Sequence, residues 1–299
     1  MARKRKGDKV DGWLVIDKPT GITSAHVVAK VKRITNAQKV GHAGTLDPLA
    51  TGILPIGLGE ATKTMPYITD STKQYDFTVR WGIATDSDDC DGTITHSGGI
   101  CPKKADILSI LDDFVGDVAQ KPPAYSAIKV DGQRAYTLAR AGKTPEMKER
   151  IVKIQSLTLK SHDQETQESM FSVACGKGTY VRSIARDMAT KLATYGHITV
   201  LRRTQVGPFH LNHAILLEKL EDFGHSARAA ELVLPIATAL DDIPALAVTE
   251  AEAALLKQGQ SIKLQTAKQG EALATCDTVP VAMVMVDENC IKPLRVFNM

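Results

Sequence analysis

The sequence has few of the features that mark secreted, metal-bound or membrane proteins. Its five cysteines are widely spaced and form no C-x-x-C pair, so neither a disulfide framework nor a zinc site is indicated. It contains no run of about 18 uninterrupted apolar residues, so no membrane span is expected. The basic residues that follow Met1 precede no apolar stretch of signal-peptide length. We therefore expect a cytoplasmic protein with no membrane association.

The net charge is also small, but its distribution is uneven. The formal charge of +3 is too low to indicate a nucleic-acid binder by itself. Between Lys121 and Lys153, however, eight Lys or Arg side chains face only three acidic ones. This basic stretch fits either phosphate contacts or a solvated surface, and both interpretations stay open from charge alone. Residues 1–10 are also basic and are interpreted as a disordered tail.

Apolar periodicity predicts strands and helices that do not alternate regularly. Residues 75–81 alternate between apolar and polar, the period of a half-buried strand. Earlier in the chain, Thr23 or Ser24 can cap a helix that begins directly after them. Further strands are predicted at 13–16, 53–56, 125–130, 171–175, 198–201 and 206–211, and helices at 107–115, 135–141 and 181–192. Arg202 and Arg203 fall between the last two strands. The pattern indicates an α+β fold.

The pattern changes near residue 245. Thr249 and Glu252 form a capping box for a short helix that Gly259 can end, and only short strands follow. We therefore predict a large α+β domain over residues 11–245 and a small β domain over residues 246–299.

The most informative stretch is GHAGTLDPLATG, residues 41–52. Asp47 precedes a proline, which favours extended backbone, and three glycines allow tight turns around it. A carboxylate on such a loop is well placed to meet a ligand. Judged alone, an Asp-Pro turn is more often structural, because both are ordinary turn residues.

A second acidic stretch, Ser87 to Gly92, looks like the start of a calcium-binding loop. The twelfth position of such a loop requires a bidentate glutamate, and Gly98 stands there instead. We predict no calcium or other metal site.

Five motifs occur together in one order and spacing: DKPTG (17–21), GHAGTLDPLATG (41–52), K-x-Y (73–75), KGTYVR (177–182) and LRR (201–203). In this combination the chain resembles the TruB family of tRNA pseudouridine synthases over roughly residues 11–299. The resemblance implies a mixed, mainly antiparallel sheet with flanking helices. It also implies a thumb insertion over about 121–153 and a C-terminal β-barrel similar to a PUA module, which binds RNA.

The resemblance also implies the site residues. Asp47 would be the essential carboxylate, Tyr75 the aromatic ring stacked on the target uracil, and Arg182 the partner of Asp47. The remaining residues would line the pocket, support the loop or bind RNA: Lys18, His42, Tyr180, Leu201, Lys129, Arg134 and Arg140. Without these motifs, Tyr75 and Tyr180 would be interpreted as core residues and Arg182 as an exposed residue in the first turn of a helix.

The chemistry of pseudouridine formation agrees with these roles. The enzyme must break an N-glycosidic bond, rotate the base and rejoin it through carbon, so no cofactor is required. A carboxylate can attack C1′ or stabilise positive charge developing there, and the sequence leaves both routes open. Tyr75 offers a ring for stacking and a phenol that can move a proton.

We therefore expect a monomeric enzyme that acts on uridine 55 in the T-stem-loop of tRNA and needs no guide RNA. Two alternatives remain: a guide-RNA-dependent relative within a ribonucleoprotein, and a non-catalytic RNA chaperone. Isomerisation of an unmodified tRNA transcript without guide RNA would exclude the guide-RNA-dependent alternative. Turnover that requires Asp47 would exclude a chaperone without catalytic activity.

Overall fold

The computed structural model describes residues 7–130, 132–143, 146–223, 231–266 and 268–299, with only the backbone of Arg140 and Phe223. Its strands are β1 Gly12–Lys18, β2 Val40–His42, β3 Thr51–Leu58, β4 Lys73–Trp81, β5 Ile83–Thr85, β6 Ile94–Ser97, β7 Gly116–Gln120, β8 Lys129–Val130, β9 Gln133–Arg134, β10 Arg150–Asp163, β11 Glu168–Cys175, β12 Gly196–Val206, β13 Phe209–His210, β14 Ile215–Leu216, β15 Ala245–Ala247, β16 Ile262–Lys263, β17 Gly270–Cys276, β18 Val279–Asp287 and β19 Cys290–Val296. Its α-helices are α1 Ser24–Thr35, α2 Met65–Asp70, α3 Lys104–Ile110, α4 Ala135–Arg140, α5 Val181–Lys191, α6 Leu217–Phe223 and α7 Glu250–Lys257.

A ten-stranded mixed sheet forms the larger part of the fold. Its main path runs β14-β1-β3-β12-β4-β11-β10-β7, with β2 on β3 and β13 on β12. Only the β1–β14 and β3–β12 pairs are parallel. One face of the sheet packs on α1, α3 and α5, whose apolar side chains enter the core. The predicted α+β class with a mainly antiparallel sheet is therefore confirmed.

Strand β12 differs from its prediction. It runs without a break through Arg202 and Arg203, which the sequence had placed between two strands. Bulges after Ile198 and after Arg203 disturb the alternation of side chains, so apolar periodicity alone broke the strand in two. Both arginines consequently lie inside the sheet, next to β3 and β4.

Other boundaries also differ. Strand β10 was not predicted, because two bulges interrupt its alternation, and it takes in residues 150–153 of the predicted thumb. The strand predicted at 125–130 is reduced to β8, and the helix at 107–115 ends as a 3₁₀ turn. Within the predicted tail, Asp8 pairs with Ala37, so residue 8 is ordered, while residues 1–6 lie outside the described part. Asp131, which directly follows the predicted strand at 125–130, also lies outside it.

The C-terminal strands form a curled half-barrel in the order β15-β17-β18-β19-β16. Thr249 and Glu252 form the predicted capping box at the start of α7. Within the described ranges, none of the helices is long and apolar enough to cross a membrane.

The half-barrel shares a hydrophobic core with the large sheet. Leu273, Met283 and Phe297 pack in one cluster with residues of β1 and β3, including Trp13 and Ile53. Phe297 is fully buried. Two polar contacts reinforce the junction, since Lys63 Nζ donates to the Val296 carbonyl at 2.7 Å and Tyr67 to Glu271 at 2.8 Å. Burial across this junction predicts that the two parts unfold together.

Phe297→Ala tests this coupling. Truncating a buried phenylalanine typically costs about 3–5 kcal/mol, and here the loss should reach the whole chain. Trp81, buried in the other core, reports on the catalytic part when Trp13 is replaced by phenylalanine. In that background, urea unfolding followed by Trp81 fluorescence should shift with Phe297→Ala and not with the exposed control Leu294→Ala. An unchanged Trp81 midpoint would mean that the parts unfold independently.

Candidate active site

Asp47 lies on the loop between β2 and β3, and hydrogen bonds from the preceding segment fix this loop. The Ser24 hydroxyl at the start of α1 accepts from the Leu46 amide at 2.8 Å and donates to its carbonyl at 3.0 Å. The Gly21 amide donates to the Pro48 carbonyl at 2.8 Å. Both residues that flank Asp47 are therefore held through their main chains.

Lys18 stabilises the same loop through a hydrogen bond to its main chain. Its side chain is fully buried, and Nζ donates to the carbonyls of Pro19 at 2.9 Å, Ile22 at 2.8 Å and Pro48 at 3.1 Å. Burial lowers the pKa of Lys18 to about 8, against the charge of Asp47, which raises it. The ammonium thus joins the DKPTG turn to the loop that carries Asp47.

Arg182 contacts two carboxylates at once. Its side chain extends from the first turn of α5, and Nη2 lies 2.9 Å from Asp47 Oδ2 while Nη1 lies 3.1 Å from Asp89 Oδ2. Only 4% of the Arg182 side chain is exposed, against 35% for Asp47. No hydrogen bond to Asp47 Oδ1 is formed within the described chain. One oxygen of Asp47 is therefore anchored and the other remains available to a substrate.

Asp89 is a site residue that sequence reasoning missed. It belongs to the acidic stretch that resembled a calcium loop, and it accepts a hydrogen bond from the Ser87 hydroxyl. Burial raises the pKa of Asp89, opposed by the Ser87 bond and by Arg182. The preceding Asp88 has a left-handed φ of 62° and pairs with Arg186, one turn along α5, at 3.0 Å. Acidic residues clustered in the sequence without a metal pattern were the available signal.

Tyr75 lies on β4, directly opposite Arg203 of β12. Burial raises the pKa of Tyr75, and the nearby charge and hydrogen bond of Arg203 act in the opposite direction. The charge of Asp47 also raises this pKa. Leu201, on the same strand as Arg203, is almost fully buried in the main core.

Tyr180 precedes α5 and is fixed at its backbone and at its ring. The Gln120 side chain accepts from the Tyr180 amide at 2.8 Å and donates to its carbonyl at 3.1 Å. The Arg150 guanidinium lies 5.0 Å from the centre of the tyrosine ring, a cation–π distance. Gln120 immediately precedes the predicted thumb and Arg150 lies near its end, so residues at both ends of that segment contact Tyr180.

His42, on β2, has an unusual environment. Its Nδ1 atom is buried and has no hydrogen-bond partner within the part of the chain that the structure describes. Burial lowers the pKa of His42, and the charge of Arg203 lowers it further. The imidazole is therefore held in its neutral form.

Lys129 and Arg134 lie apart from these residues, on the two-stranded ribbon β8–β9. They face each other across the ribbon, and both side chains are exposed. No ion pair among the described residues includes either of them, and neither bonds to Asp47, Tyr75 or Arg182. The side chain of Arg140 lies outside the described part. In the described ranges, no group of three or more His, Cys, Asp or Glu side chains is arranged to hold a metal ion.

Two family models together cover most of the chain. Residues 32–181 match the N-terminal domain of TruB family pseudouridylate synthase. Residues 182–241 match the tRNA pseudouridylate synthase B C-terminal domain.

Curated relatives match over the whole length. A tRNA pseudouridine synthase B from Caulobacter sp. (strain K31) is 46% identical over all of both chains. That of Bradyrhizobium diazoefficiens is 48% identical over all of this chain and 91% of the relative.

Solved structures share the fold at lower identity. An H/ACA ribonucleoprotein bound to a substrate RNA containing 2′-deoxyuridine matches with a TM-score of 0.75 and 20% identity, covering 100% of this chain and 92% of the other. A Cbf5-Nop10-Gar1 complex matches at 0.72 and 23%, covering 96% and 83%. With full-length relatives near half identity and family models matched over residues 32–241, the chain belongs to the TruB family of pseudouridylate synthases.

Proposed function

We propose that this chain isomerises the uridine at position 55 in the T loop of tRNA to pseudouridine, as a cytoplasmic monomer that needs no guide RNA. The observation that carries the proposal is the Asp47–Arg182 ion pair of 2.9 Å, which leaves the second carboxylate oxygen open. A half-exposed carboxylate with one fixed oxygen is suited to act on a sugar carbon.

The reaction begins with cleavage of the bond between N1 of uracil and C1′ of the ribose. Asp47 acts either by bonding to C1′ or by stabilising the positive charge that develops there. The freed base rotates, and C5 forms the new bond to C1′. The proton on C5 must then leave and N1 must end protonated, so the site needs a group that moves a proton.

Tyr75 is the group that we assign to this proton transfer and to stacking. Its ring can face the uracil, and the charge of Asp47 contributes to raising the pKa of its phenol. A positioned acid or base contributes about 100-fold or more to the rate of a proton transfer. Arg182 then holds the carboxylate, while Lys18, His42, Tyr180 and Leu201 shape the pocket.

A base inside a folded RNA loop must be extruded to reach Asp47. Extrusion costs a few kcal/mol, which contacts with the RNA backbone have to offset. Lys129 and Arg134 suit this role, because like charges facing each other across a ribbon repel until an anion lies between them. Arg140 is assigned to the same surface from the sequence.

The substrate and the absence of a guide RNA rest on the relatives. Those that match over the full length at 46% and 48% identity are named tRNA pseudouridine synthase B. The ribonucleoprotein matches have only 20–23% identity and support the fold alone. The whole proposal is tested by incubating the purified protein with an unmodified tRNA transcript and no other RNA, which should yield pseudouridine. A transcript with cytidine at position 55 should yield no product.

Asp47→Asn keeps the shape of the side chain and removes its charge. Single-turnover conversion should fall by more than ~100-fold, the scale expected for loss of a reacting group. RNA affinity should stay within about tenfold, or ~1.4 kcal/mol, because Arg182 keeps Asp89 as its partner. Asp113→Asn, which removes a largely exposed carboxylate paired with Lys191, is the matched control and should behave as wild type. Substantial conversion by Asp47→Asn would exclude Asp47 as the reacting group.

Tyr75→Phe separates the ring from the hydroxyl. Stacking is worth ~1–3 kcal/mol per base and does not need the hydroxyl, so RNA affinity should change little. The single-turnover rate should nevertheless fall by at least ~100-fold. Tyr75→Leu should lose both, while the partly exposed Tyr195→Phe, stacked on His96, should leave rate and affinity unchanged. A fully active Tyr75→Phe enzyme would leave Tyr75 only a stacking role.

The double variant Lys129→Ala/Arg134→Ala tests the thumb surface. If both side chains contact phosphates, the slope of log affinity against log salt should decrease by up to ~0.7–0.9 per lost contact. Lys104→Ala/Lys160→Ala removes two exposed lysines outside residues 121–153 and should leave the slope intact. An equal slope in the two double variants would mean that the ribbon is ordinary solvated surface.

A further inference from the structure

Arg203 is a buried cation without an ion pair. Its exposed fraction is 1%, and none of the ion pairs among the described residues includes it. A buried charge is costly unless polar groups replace the water it loses. The neighbouring Arg202 is different, because it is 36% exposed in its side chain and forms a bidentate pair with Asp17. The hydrogen bonds that Arg203 donates must therefore offset the free-energy cost of burying its charge.

Its partners belong to the two catalytic segments. Nε donates to the Ile53 carbonyl at 2.7 Å and Nη2 to the Gly44 carbonyl at 3.0 Å, with Nη1 3.5 Å from the Thr45 carbonyl. Gly44 and Thr45 lead directly into Asp47. Tyr75 lies opposite Arg203 in the neighbouring strand, and the charge of Arg203 lowers the pKa of the phenol. One residue thus joins the loop of the carboxylate to the strand that carries the phenol.

The sheet brings Arg203 to this position. Strand β12 lies between β3 and β4, and Arg203 pairs with Gly52 on one side and Tyr75 on the other. A Cβ atom on Gly52 would lie 2.2 Å from the Arg203 carbonyl, and Gly52 has a φ of +98°. Only glycine permits this approach, so the end of the GHAGTLDPLATG stretch is shaped around Arg203.

We propose that Arg203 is a positioning residue for the isomerisation, which sets the separation and orientation of Asp47 and Tyr75. The inference rests on the proposed function, in which these two groups carry the chemistry. An arginine side chain only donates hydrogen bonds, and those of Arg203 go to the main-chain carbonyls of the Asp47 loop and of β3. A lysine at this position keeps the charge but lacks the planar fork that serves several acceptors at once.

Arg203→Lys and Arg203→Gln test the role, with Arg202→Lys as the matched control. A small displacement of reacting groups can cost on the order of 100-fold in rate. Arg203→Lys should therefore slow single-turnover conversion of unmodified tRNA roughly 10- to 100-fold, and Arg203→Gln further. RNA affinity should remain within about threefold, below the tenfold that corresponds to 1.4 kcal/mol. Arg202→Lys should keep the wild-type rate, since lysine retains the charge opposite Asp17 and the acceptors of Arg202, Asp17 and Thr51, are neither Asp47 nor Tyr75.

A spectroscopic measurement separates positioning from a merely structural role. In protein labelled with ¹³C at the tyrosine Cζ, the Tyr75 signal, assigned by its absence in Tyr75→Phe, should shift in Arg203→Lys and not in Arg202→Lys. A structural role predicts a lower melting temperature and a smaller active fraction, with a normal rate for the molecules that remain active.

The outcomes are distinguishable. A wild-type rate in Arg203→Lys together with an unmoved Tyr75 signal overturns the positioning role alone. Failure of both Arg203 variants to fold also overturns it, because the residue is then structural. If the wild-type protein forms no pseudouridine in unmodified tRNA, the proposed function itself fails.

Discussion

The burial of the Arg182 guanidinium between Asp47 and Asp89 is the constraint on which the site depends. Arg182 lies in the first turn of α5, where the helix dipole disfavours a cation and no acidic residue of that turn compensates it. Removing its charge from water adds a further cost. Two carboxylates and two main-chain carbonyls, those of Ser87 and Tyr125, offset both costs. The buried Arg182 therefore needs the Asp47 carboxylate as a partner, and this pairing fixes the position of Asp47.

The same arginine connects Asp47 to the segment that we propose as the thumb. The Tyr125 carbonyl, which accepts from Arg182 at 2.9 Å, lies inside the insertion that carries Lys129 and Arg134. The Lys121 carbonyl accepts from Ser183 at 2.9 Å and from Arg186 at 2.7 Å. These hydrogen bonds join Lys121, at the start of the proposed thumb, to the first two turns of α5.

Much of the fold was accessible from sequence because the elements that hold the core follow simple periods. Helices α1 and α5 and strand β4 appear in the apolar pattern, and Thr23 caps α1 as its side chain allows. The failures have a common physical cause. Strands β10 and β12 contain bulges, which reverse the face on which successive side chains lie, so a period-two pattern cannot follow them.

The site was accessible only in part for a related reason. Asp47, Tyr75 and Arg182 were predicted as site residues because they lie in motifs that resemble those of the TruB family. Asp89 and Arg203 act through tertiary contacts with those motifs, and nothing in their sequence neighbourhood reveals the partner. An acidic stretch resembles a metal loop until the fold places two arginines, Arg182 and Arg186, against it. A charged pair within a strand resembles a loop until the bulges are known.

The motifs that carry the family resemblance meet in space as one hydrogen-bonded unit around the Asp47 loop. Lys18, from DKPTG, binds the carbonyl that follows Asp47, and Arg203, from LRR, binds the carbonyl of Gly44 that precedes it. Hydrogen bonds to charged groups contribute about 1.5–3 kcal/mol each, more than neutral ones. Because both cations bind main-chain carbonyls, they fix the path of the loop without occupying the side chain of Asp47. The carboxylate can therefore stay half-exposed on a rigid loop, which is what a reaction at an entering sugar requires.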